Sequence, residues 1–329
     1  MANKNITLKK IGFDKTFLNS RLELNMKGKD VTYPLVNAIR RIALSDLPIY
    51  TWKTTITKNN SVFHNNYMRN RVRSIPIIGI NNEMLFFQKK EEVDVKDTVV
   101  DNFLIMDDID INSKNDTVDT SSLNNINMYL NYHNTSKEIT TVTTDKCTFQ
   151  YKGEKIDNPY KIPIPIIKLQ PNQEINLSSV SNLGTEQNNT SEYSACSIFC
   201  YDMKEENNYN LFLESRGQLT EKEILLRSID ILKKQLLDLN DSITDKNEMT
   251  GTIKIGDQDH TLGNLVSYYS LQDNNVDMFS YNLPHPLNRI VNFNYRLKKG
   301  ELKDVFNKST KKIISDLDTI YIQIEKLKL

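Results

Sequence analysis

Asp107, Asp108 and Asp110 are spaced closely enough to suggest a catalytic Mg²⁺ site. Such a site needs rigidly held carboxylates, because Mg²⁺ demands near-octahedral oxygen ligands. This cluster lies in a segment rich in Asn and Asp, a composition typical of a flexible loop. The sequence also contains no phosphate-binding glycine loop and no nucleophile elbow. We therefore interpret the cluster as surface acid and predict no catalytic residue.

The three cysteines, Cys147, Cys196 and Cys200, are the next candidates, because thiolates bind zinc. Cys196 and Cys200 have Cys-x₃-Cys spacing, but a structural zinc site normally takes four ligands. Cys147 and a distant histidine would have to complete the set. We favour free thiols in a reducing compartment, with neither a metal nor another cofactor.

Two histidines lie in patterns that could be taken for an acid–base site. His260 stands between Asp259 and Thr261, just before a helical pattern, where Asp or Thr would cap the helix by accepting hydrogen bonds from free amides. His285 lies between two prolines, with no carboxylate or cysteine close by in the sequence. A helix cap and a rigid turn are therefore preferred over metal binding or proton transfer.

Length and charge limit what the chain can bind. Its 329 residues suffice for about two domains, and 38% hydrophobic residues allow packed cores. The 42 basic and 42 acidic side chains cancel, which gives no bulk attraction to the DNA backbone. The first residues lack a signal-peptide core, and the apolar runs are shorter than the ~20 residues of a membrane helix. We expect protein partners, little or no direct nucleic-acid contact and no membrane.

The elements that would position these residues begin with two strands and a helix over residues 5–50. Apolar and polar residues alternate from Leu22 to Met26, as in a half-buried strand. From Tyr33 to Leu47 the apolar period changes to that of a helix, which Pro48 ends.

Residues 51–205 are less regular, and we predict that they form a mainly β insertion domain. Short strand-like pieces such as Met84–Phe87 are separated by polar stretches, and Asp107–Asn134 has the composition of a mobile loop. Three prolines between residues 163 and 171 indicate an extended segment, because proline cannot donate to a central ladder.

Regular patterning returns over residues 206–240. Thr220 and Glu223 have the spacing of a capping box at a helix start. Apolar residues in the helix that follows recur at alternating steps of four and three, a seam suited to packing against another long helix. Residues 241–250 are polar and unpatterned, and we interpret them as a linker.

The order strand, helix, strand, long helix recurs over residues 251–329, without the insertion. The final helix carries a second seam with the same steps of four and three. We therefore predict an α+β fold. Two dimerisation units, residues 1–50 with 206–240 and residues 251–329, would pair pseudo-symmetrically within the chain.

Several stretches resemble the α-like subunits of multisubunit DNA-directed RNA polymerases. Val36–Pro48 resembles the α-motif of the larger α-like subunit, which is α in bacteria, the D-type protein in archaea and the third-largest subunit in eukaryotes. Arg69–Pro76 and Leu213–Thr220 are similar to further stretches of that subunit. Asp259–Leu265 and Tyr281–Leu287 resemble the two signature stretches of the smaller partner, which is the L-type protein in archaea and the eleventh subunit in eukaryotes.

Fusion of both partners in one polypeptide is the arrangement of large cytoplasmic DNA viruses, so the resemblance implies a viral source. It implies a location in the host cytoplasm, at the viral factory, and in the virion, or in the nucleus for a cellular source. The resemblance is weak over residues 81–160. Some family members carry a cysteine cluster for zinc or iron–sulfur in the insertion, which three cysteines do not reproduce, and Ser280 replaces a usual glycine.

The function implied by the resemblance is a non-catalytic scaffold. The α-like dimer would nucleate binding of the two largest polymerase subunits, joined by small assembly subunits, and would present Asn37, Arg40 and Arg41 to a large subunit through forked guanidinium contacts. The predicted dimer seam comprises Leu35, Ile39, Ile42, Leu225, Ile229, Leu232, Leu236, Leu262, Leu265, Leu317, Ile320 and Ile324. The predicted structural signature comprises Asp259, His260, Thr261, Gly263, Asn264, Pro284, His285 and Pro286.

Two other classes of function remain open at this point. A stand-alone enzyme would use the Asp107–Asp110 cluster or His260, and the purified chain would then transfer nucleotides in a metal-dependent reaction. A free-standing transcription adaptor or regulator would use the same fold outside the polymerase. Removing such an adaptor would leave the composition of the polymerase unchanged.

Overall fold

A computed structural model describes residues 5–16, 20–78, 126–151, 153–186, 193–243, 248–256, 258–285 and 289–328. The chain divides into two compact units. Unit 1 comprises Met1–Ile49 and Gly184–Leu329, and unit 2 comprises Tyr50–Leu183. The Met84–Phe87 strand and the Asp107–Asp110 cluster fall outside the described residues.

The first half of unit 1 is a four-stranded antiparallel sheet with two helices. Its elements are β1 (Thr7–Lys15), β2 (Ser20–Lys27), α1 (Tyr33–Ser45), β10 (Cys196–Glu205), β11 (Asn208–Ser215) and α3 (Glu221–Asp241). The strand order is β1-β2-β11-β10. Leu22, Leu24 and Met26 of β2 are buried, as their alternation predicts.

The predicted end of the insertion at residue 205 is wrong by one strand. β10 belongs to unit 1, because it pairs along its length with β11 in an antiparallel hairpin. Glu205 faces Asn208 across a two-residue turn, and Asn207 adopts a positive φ of 60° there. Asparagine tolerates this left-handed conformation, so the hairpin closes tightly. The insertion therefore returns to unit 1 near Gly184.

Helix α3 starts at the predicted capping box. The Thr220 side chain accepts a hydrogen bond from the Glu223 amide, and the Glu223 carboxylate accepts one from the Thr220 amide at 2.9 Å. Two amides that lack helical partners are thereby satisfied. The helix continues to Asp241, which the sequence pattern had placed in the linker.

The second half of unit 1 repeats this plan in a shorter form. Its elements are β12 (Thr250–Gly256), α4 (His260–Ser270), β13 (Val276–Asn282), β14 (Ile290–Leu297) and α5 (Leu302–Glu325). The strand order is β12-β14-β13, with antiparallel pairing throughout. The sequence pattern missed β13. The α+β class, with two related halves, is confirmed.

Unit 2 is mainly β. Its elements are β3 (Ile49–Asn59), α2 (Asn65–Arg73), β4 (Ile126–His133), β5 (Thr140–Thr143), β6 (Thr148–Tyr151), β7 (Glu154–Ile156), β8 (Pro165–Leu169) and β9 (Glu174–Gly184). They form a five-stranded sheet, β3-β9-β4-β6-β7, and a two-stranded sheet, β5-β8. The core of unit 2 contains Trp52, the single tryptophan of the chain, and Phe149.

The predicted loop Asp107–Asn134 is corrected over its described part, because residues 126–133 form β4. In this strand Ile126, Met128 and Leu130 are buried on one face, and polar or half-exposed residues alternate with them. The alternation was present in the sequence, but the surrounding Asn-rich composition hid it. The rest of that segment lies outside the described residues.

Candidate functional site

The four helices of unit 1 bring its two halves together. α3 of the first half packs along α5 of the second, and α1 packs against α4. Within each half, α1 also contacts α3, and α4 contacts α5. All twelve residues of the predicted dimer seam are buried, with at most 3% of their surface exposed. Apolar burial of this extent is the main favourable term in such an association.

Polar contacts also join the two long helices, α3 and α5. Asn240 of α3 donates to Asn307 of α5 at 2.8 Å. Lys233 of α3 makes an ion pair of 2.5 Å with Asp318 and lies over the ring of Tyr321, 4.8 Å from its centroid. The Lys233 contacts pair unlike side chains, so they specify which helix faces which.

The α1–α4 crossing carries an ion pair at one end. Arg41 donates through Nε to the Thr261 hydroxyl at 2.8 Å and through a terminal nitrogen to Asp259 at 2.9 Å. The other oxygen of Asp259 caps α4 by accepting from the Thr261 amide at 2.6 Å. Burial raises the pKa of Asp259, but these hydrogen bonds from Thr261 and the Arg41 charge outweigh it and lower that pKa below its ordinary value.

This geometry gives Arg41 partners within the chain. Arg41 binds the N-terminus of α4, because that helix brings a capping carboxylate and a hydroxyl within reach of the guanidinium fork. The contact with a large subunit that the resemblance implied for Arg41, together with Arg40, stays a prediction. Arg40 remains half-buried at the surface and donates to the Asn37 side chain at 3.0 Å.

An aromatic contact forms the opposite end of the same crossing. Tyr33, the first residue of α1, meets Tyr268 near the end of α4, with ring centroids 5.7 Å apart and ring planes at 77°. The helices are thus held by an ionic contact at one end and an edge-to-face aromatic contact at the other. The two ends of the α1–α4 crossing therefore differ in the type of contact that joins the halves.

The signature residues of the second half have a packing role. A Cβ atom on Gly263 would lie 2.4 Å from the Tyr281 ring, so only glycine fits beneath that ring. Nδ1 of His260 lies 3.3 Å from the Tyr281 hydroxyl. The sequence left open whether Asp259 or Thr261 caps α4, and in the structure Asp259 is the capping residue. Asn264 is half-buried, Pro284 and His285 are exposed, and Pro286 falls outside the described residues.

A buried carboxylate lies inside the apolar stripe of α5. Asp316 is fully buried and accepts from the Tyr269 hydroxyl at 3.1 Å and from Lys312 at 2.9 Å. Lys312 also reaches Asp30 of the first half at 3.2 Å. Burial raises the pKa of Asp316 above its ordinary value, although the Lys312 contacts act against that rise. The sequence analysis did not identify this site. The position of a charged residue, Asp316, directly before the seam residue Leu317 could have indicated it.

The last turn of α5 is tied to the first half of unit 1. The Gln323 side chain donates to the Ile6 carbonyl at 3.0 Å and accepts from the Leu8 amide at 2.7 Å, along the edge strand β1. Lys222 of α3 donates to the carbonyls of Glu325 and Leu327 at 2.6 and 3.0 Å. A cation at these carbonyls is favourable, because they carry the negative end of the helix dipole.

The cysteines are divided between the two units. Cys147 lies in unit 2, whereas Cys196 and Cys200 lie on β10 of unit 1. Burial raises the pKa of both Cys147 and Cys196 to about 12. All three are free thiols, and no cluster of three or more His, Cys, Asp or Glu side chains suited to a metal occurs in the described ranges. No helix among the described residues has the length and apolar character needed to span a membrane.

Comparisons with known proteins match both halves of the chain. Residues 25–236 match the model of the RNA polymerase Rpb3/Rpb11 dimerisation domain, and residues 250–321 match a second model with the same description. The chain is also similar to a protein of Acanthamoeba polyphaga mimivirus that is named as a DNA-directed RNA polymerase subunit. The two are 25% identical over 322 residues, which cover 93% of this chain and 88% of that protein.

Proposed function

This chain belongs to the RNA polymerase Rpb3/Rpb11 dimerisation-domain family, and from that premise we propose that it is a non-catalytic assembly subunit of a DNA-dependent RNA polymerase. The two α-like partners, fused in one polypeptide, would form an intramolecular dimer. That dimer would nucleate the binding of the two largest subunits, and small assembly subunits would join it. Catalysis on DNA and nucleotides would belong to the large subunits.

One observation carries this proposal: the helices of the two matched regions close on each other within unit 1. α3 contacts α5, α1 contacts α4, and all twelve residues of the predicted dimer seam on these helices are buried. Because the halves are covalently joined, the effective concentration of each for the other is on the order of mM. The chain would therefore offer a formed dimer surface without first finding a partner.

Within this proposal, Asn37 and Arg40 form the contact with a large subunit. Both side chains lie on the half-buried face of α1, and Arg40 uses only Nε in its bond to Asn37. Its two terminal nitrogens have no hydrogen-bond partner among the described residues, so they can form a fork with a partner's carboxylate or carbonyl. Arg41 would act indirectly, by holding α4 in place beside α1.

The similarity to a mimivirus protein supports a source in a large DNA virus. We propose that the polymerase works in the host cytoplasm, at the viral factory, and is packaged in the virion. Fractionation of infected cells and of purified virions, followed by mass spectrometry of this chain, tests that location. Recovery of the chain from nuclei alone would contradict it.

Affinity purification of the chain from cells that express the whole polymerase tests the assembly role. We expect both large subunits in stoichiometric amount with the wild-type chain, and weaker recovery with Arg40→Ala. Lys254→Ala, which removes an exposed cation from β12, is the matched control and should recover them fully. Full recovery with Arg40→Ala would mean that the contact face is wrong.

A free-standing adaptor built on the same fold gives a different result in the same experiment. Depleting an adaptor would leave the two largest subunits associated with each other and with the small subunits. Depleting an assembly subunit should leave the large subunits apart, which sedimentation of the remaining polymerase measures directly.

A further inference from the structure

A groove in unit 2 lies between α2 and β8, whereas the helices that carry the proposed assembly role belong to unit 1. Its smaller recess has a volume of about 180 Å³ and a mainly apolar lining that includes Tyr67, Met68, Pro165 and Ile166. A neighbouring recess of about 520 Å³ shares Tyr67, Arg71 and Pro165 with the first. The two recesses are therefore adjacent parts of the groove.

Exposed aromatic surface marks one end of the groove. Phe63 stacks on Tyr67, with ring centroids 5.0 Å apart and ring planes at 17°. Phe63 is 37% exposed, Tyr67 is 51% exposed, and the adjacent Val62 is 67% exposed. Contiguous exposed apolar surface of this kind is typical of an interaction site, since single exposed residues are common but clusters are not.

The charges along the groove have one sign. Its charged lining residues are Arg71 and Lys168, and α2 also carries Arg69 and Arg73 but no acidic residue. None of these four cations makes an ion pair within the described part of the chain. Arg71 is held in place by its own bonds to the carbonyls of Ile166, at 2.6 Å, and Pro165, at 3.2 Å. The groove thus presents a fixed, unneutralised positive charge beside an apolar recess.

We propose that this groove binds an acidic peptide segment of a partner protein, with one aliphatic or aromatic side chain of that segment in the smaller recess. The recess is smaller than the ~300–1,000 Å³ pockets of typical small-molecule sites, and it suits a single side chain. Carboxylates on either side of that anchor would pair with Arg71 and Lys168. An apolar anchor within a charged rim is the usual arrangement of a binding hot spot.

The mainly aliphatic recess favours a peptide over single-stranded nucleic acid. Nucleic-acid platforms stack successive bases on separate aromatic rings along a basic groove. Here the two exposed rings stack on each other, and the floor of the recess beside them consists of the buried residues Met68, Ile166 and Ile167. Such a surface can bury a leucine or phenylalanine but offers no second ring for a neighbouring base.

Fluorescence anisotropy with the full chain tests this proposal. The probe is a labelled peptide in which one central leucine is flanked by two glutamates on each side. Comparison probes replace the leucine by glycine, replace the glutamates by lysines, or are single-stranded oligo(U). We expect only the first peptide to bind, with an affinity that falls as salt is added, because exposed charges are screened.

Two variants locate the site. Tyr67→Ala and Lys168→Glu should each weaken binding of the leucine–glutamate peptide about tenfold, the scale of one hot-spot residue or one close charge pair. Lys254→Glu, on β12 of unit 1, makes the same charge change elsewhere and should leave binding unchanged. Fluorescence of Trp52, which lies in the core of unit 2, verifies that each variant is folded.

Three results would overturn the proposal. The first is no binding of the leucine–glutamate peptide up to millimolar concentration. The second is equal binding of the glycine and leucine peptides, which would leave only nonspecific attraction. The third is tighter binding of oligo(U), which would make the groove a nucleic-acid site. None of these results bears on the proposed assembly role, which the recovery of the large subunits tests separately.

Discussion

The two halves of unit 1 are built alike but are not interchangeable. Each has an antiparallel sheet, a short helix and a long helix. The four helices contact one another, and the aliphatic seam residues on them are buried. Their polar contacts differ. At one end of the α1–α4 crossing Arg41 meets Asp259, whereas at the other end Tyr33 meets Tyr268.

This difference separates two tasks. Apolar burial supplies most of the free energy of closure but has little directional preference, so it would also hold two identical halves together. The ion pairs between the halves require unlike partners. Two copies of the first half would place Arg41 near a helix whose cap residue is Thr32, with no carboxylate at that position. We infer that burial closes the dimer and that polar contacts select the unlike pairing.

The largest expected effect comes from removing burial itself. Leu317→Ala in α5 should lower the free energy of unfolding of unit 1 by about 2–5 kcal/mol, because it leaves a cavity at a fully buried position. Hydrogen exchange of peptides from α3 and α5 measures this loss. The matched control is Leu237→Ala, which removes the same atoms from a side chain that is 52% exposed. Equal effects of the two changes would contradict a shared core.

A steric change tests the signature of the second half. Gly263→Ala should destabilise unit 1 by about 1–3 kcal/mol, because the new methyl group would overlap the Tyr281 ring. Hydrogen exchange of α4 peptides is the measurement. Adding Tyr281→Ser should restore much of the loss. Gly256→Ala is the control, since a Cβ atom there meets nothing within 4 Å. If Gly263→Ala left the stability of unit 1 unchanged, the Tyr281 ring would have to move aside at no cost in free energy.

Much of this pairing was predictable from local sequence. The capping box of α3 and the seams of the long helices depend on spacings of three and four residues, which a sequence displays directly. The insertion boundary was missed because β10 belongs to unit 1 through a hairpin, and its sequence resembles the irregular strands before it. Strand β4 was hidden by its asparagines, although its alternation was present.

The polar contacts were not predictable in this way. Arg41 and Asp259 are 218 residues apart in the chain, and nothing local to either residue indicates the other. The family resemblance assigned Arg41 to an external partner, because an arginine on a helix surface looks free until the opposing helix is placed. Asp316 could have been noticed as a charge beside the seam, but its partners Tyr269 and Lys312 emerge only from the packing of α4 and α5.

A double-mutant cycle sharpens the comparison at the ionic end. Arg41→Ala and Asp259→Asn should show a coupling free energy of about 1 kcal/mol near neutral pH, since both side chains are partly exposed and screened. The folded pKa of Asp259 lies below its unfolded value, so this stabilisation is present above the unfolded pKa. It should be lost as the pH falls through the folded pKa. Coupling that persists in acid would mean that charge is not its source.

The smallest effect is expected at the aromatic end. Tyr33→Ala and Tyr268→Ala should couple by about 0.5 kcal/mol, because Tyr33 is 48% exposed and the edge-to-face contact is only partly desolvated. This contact contains no carboxylate, so its coupling should stay constant over the pH range in which the ionic end loses its own. Hydrogen exchange of α1 and α4 peptides in the wild-type chain, the four single variants and the two double variants, at neutral and acid pH, measures both ends together. Parallel pH dependence at the two ends would contradict the division between a charged and an uncharged contact, because it would require a general loosening of unit 1 instead.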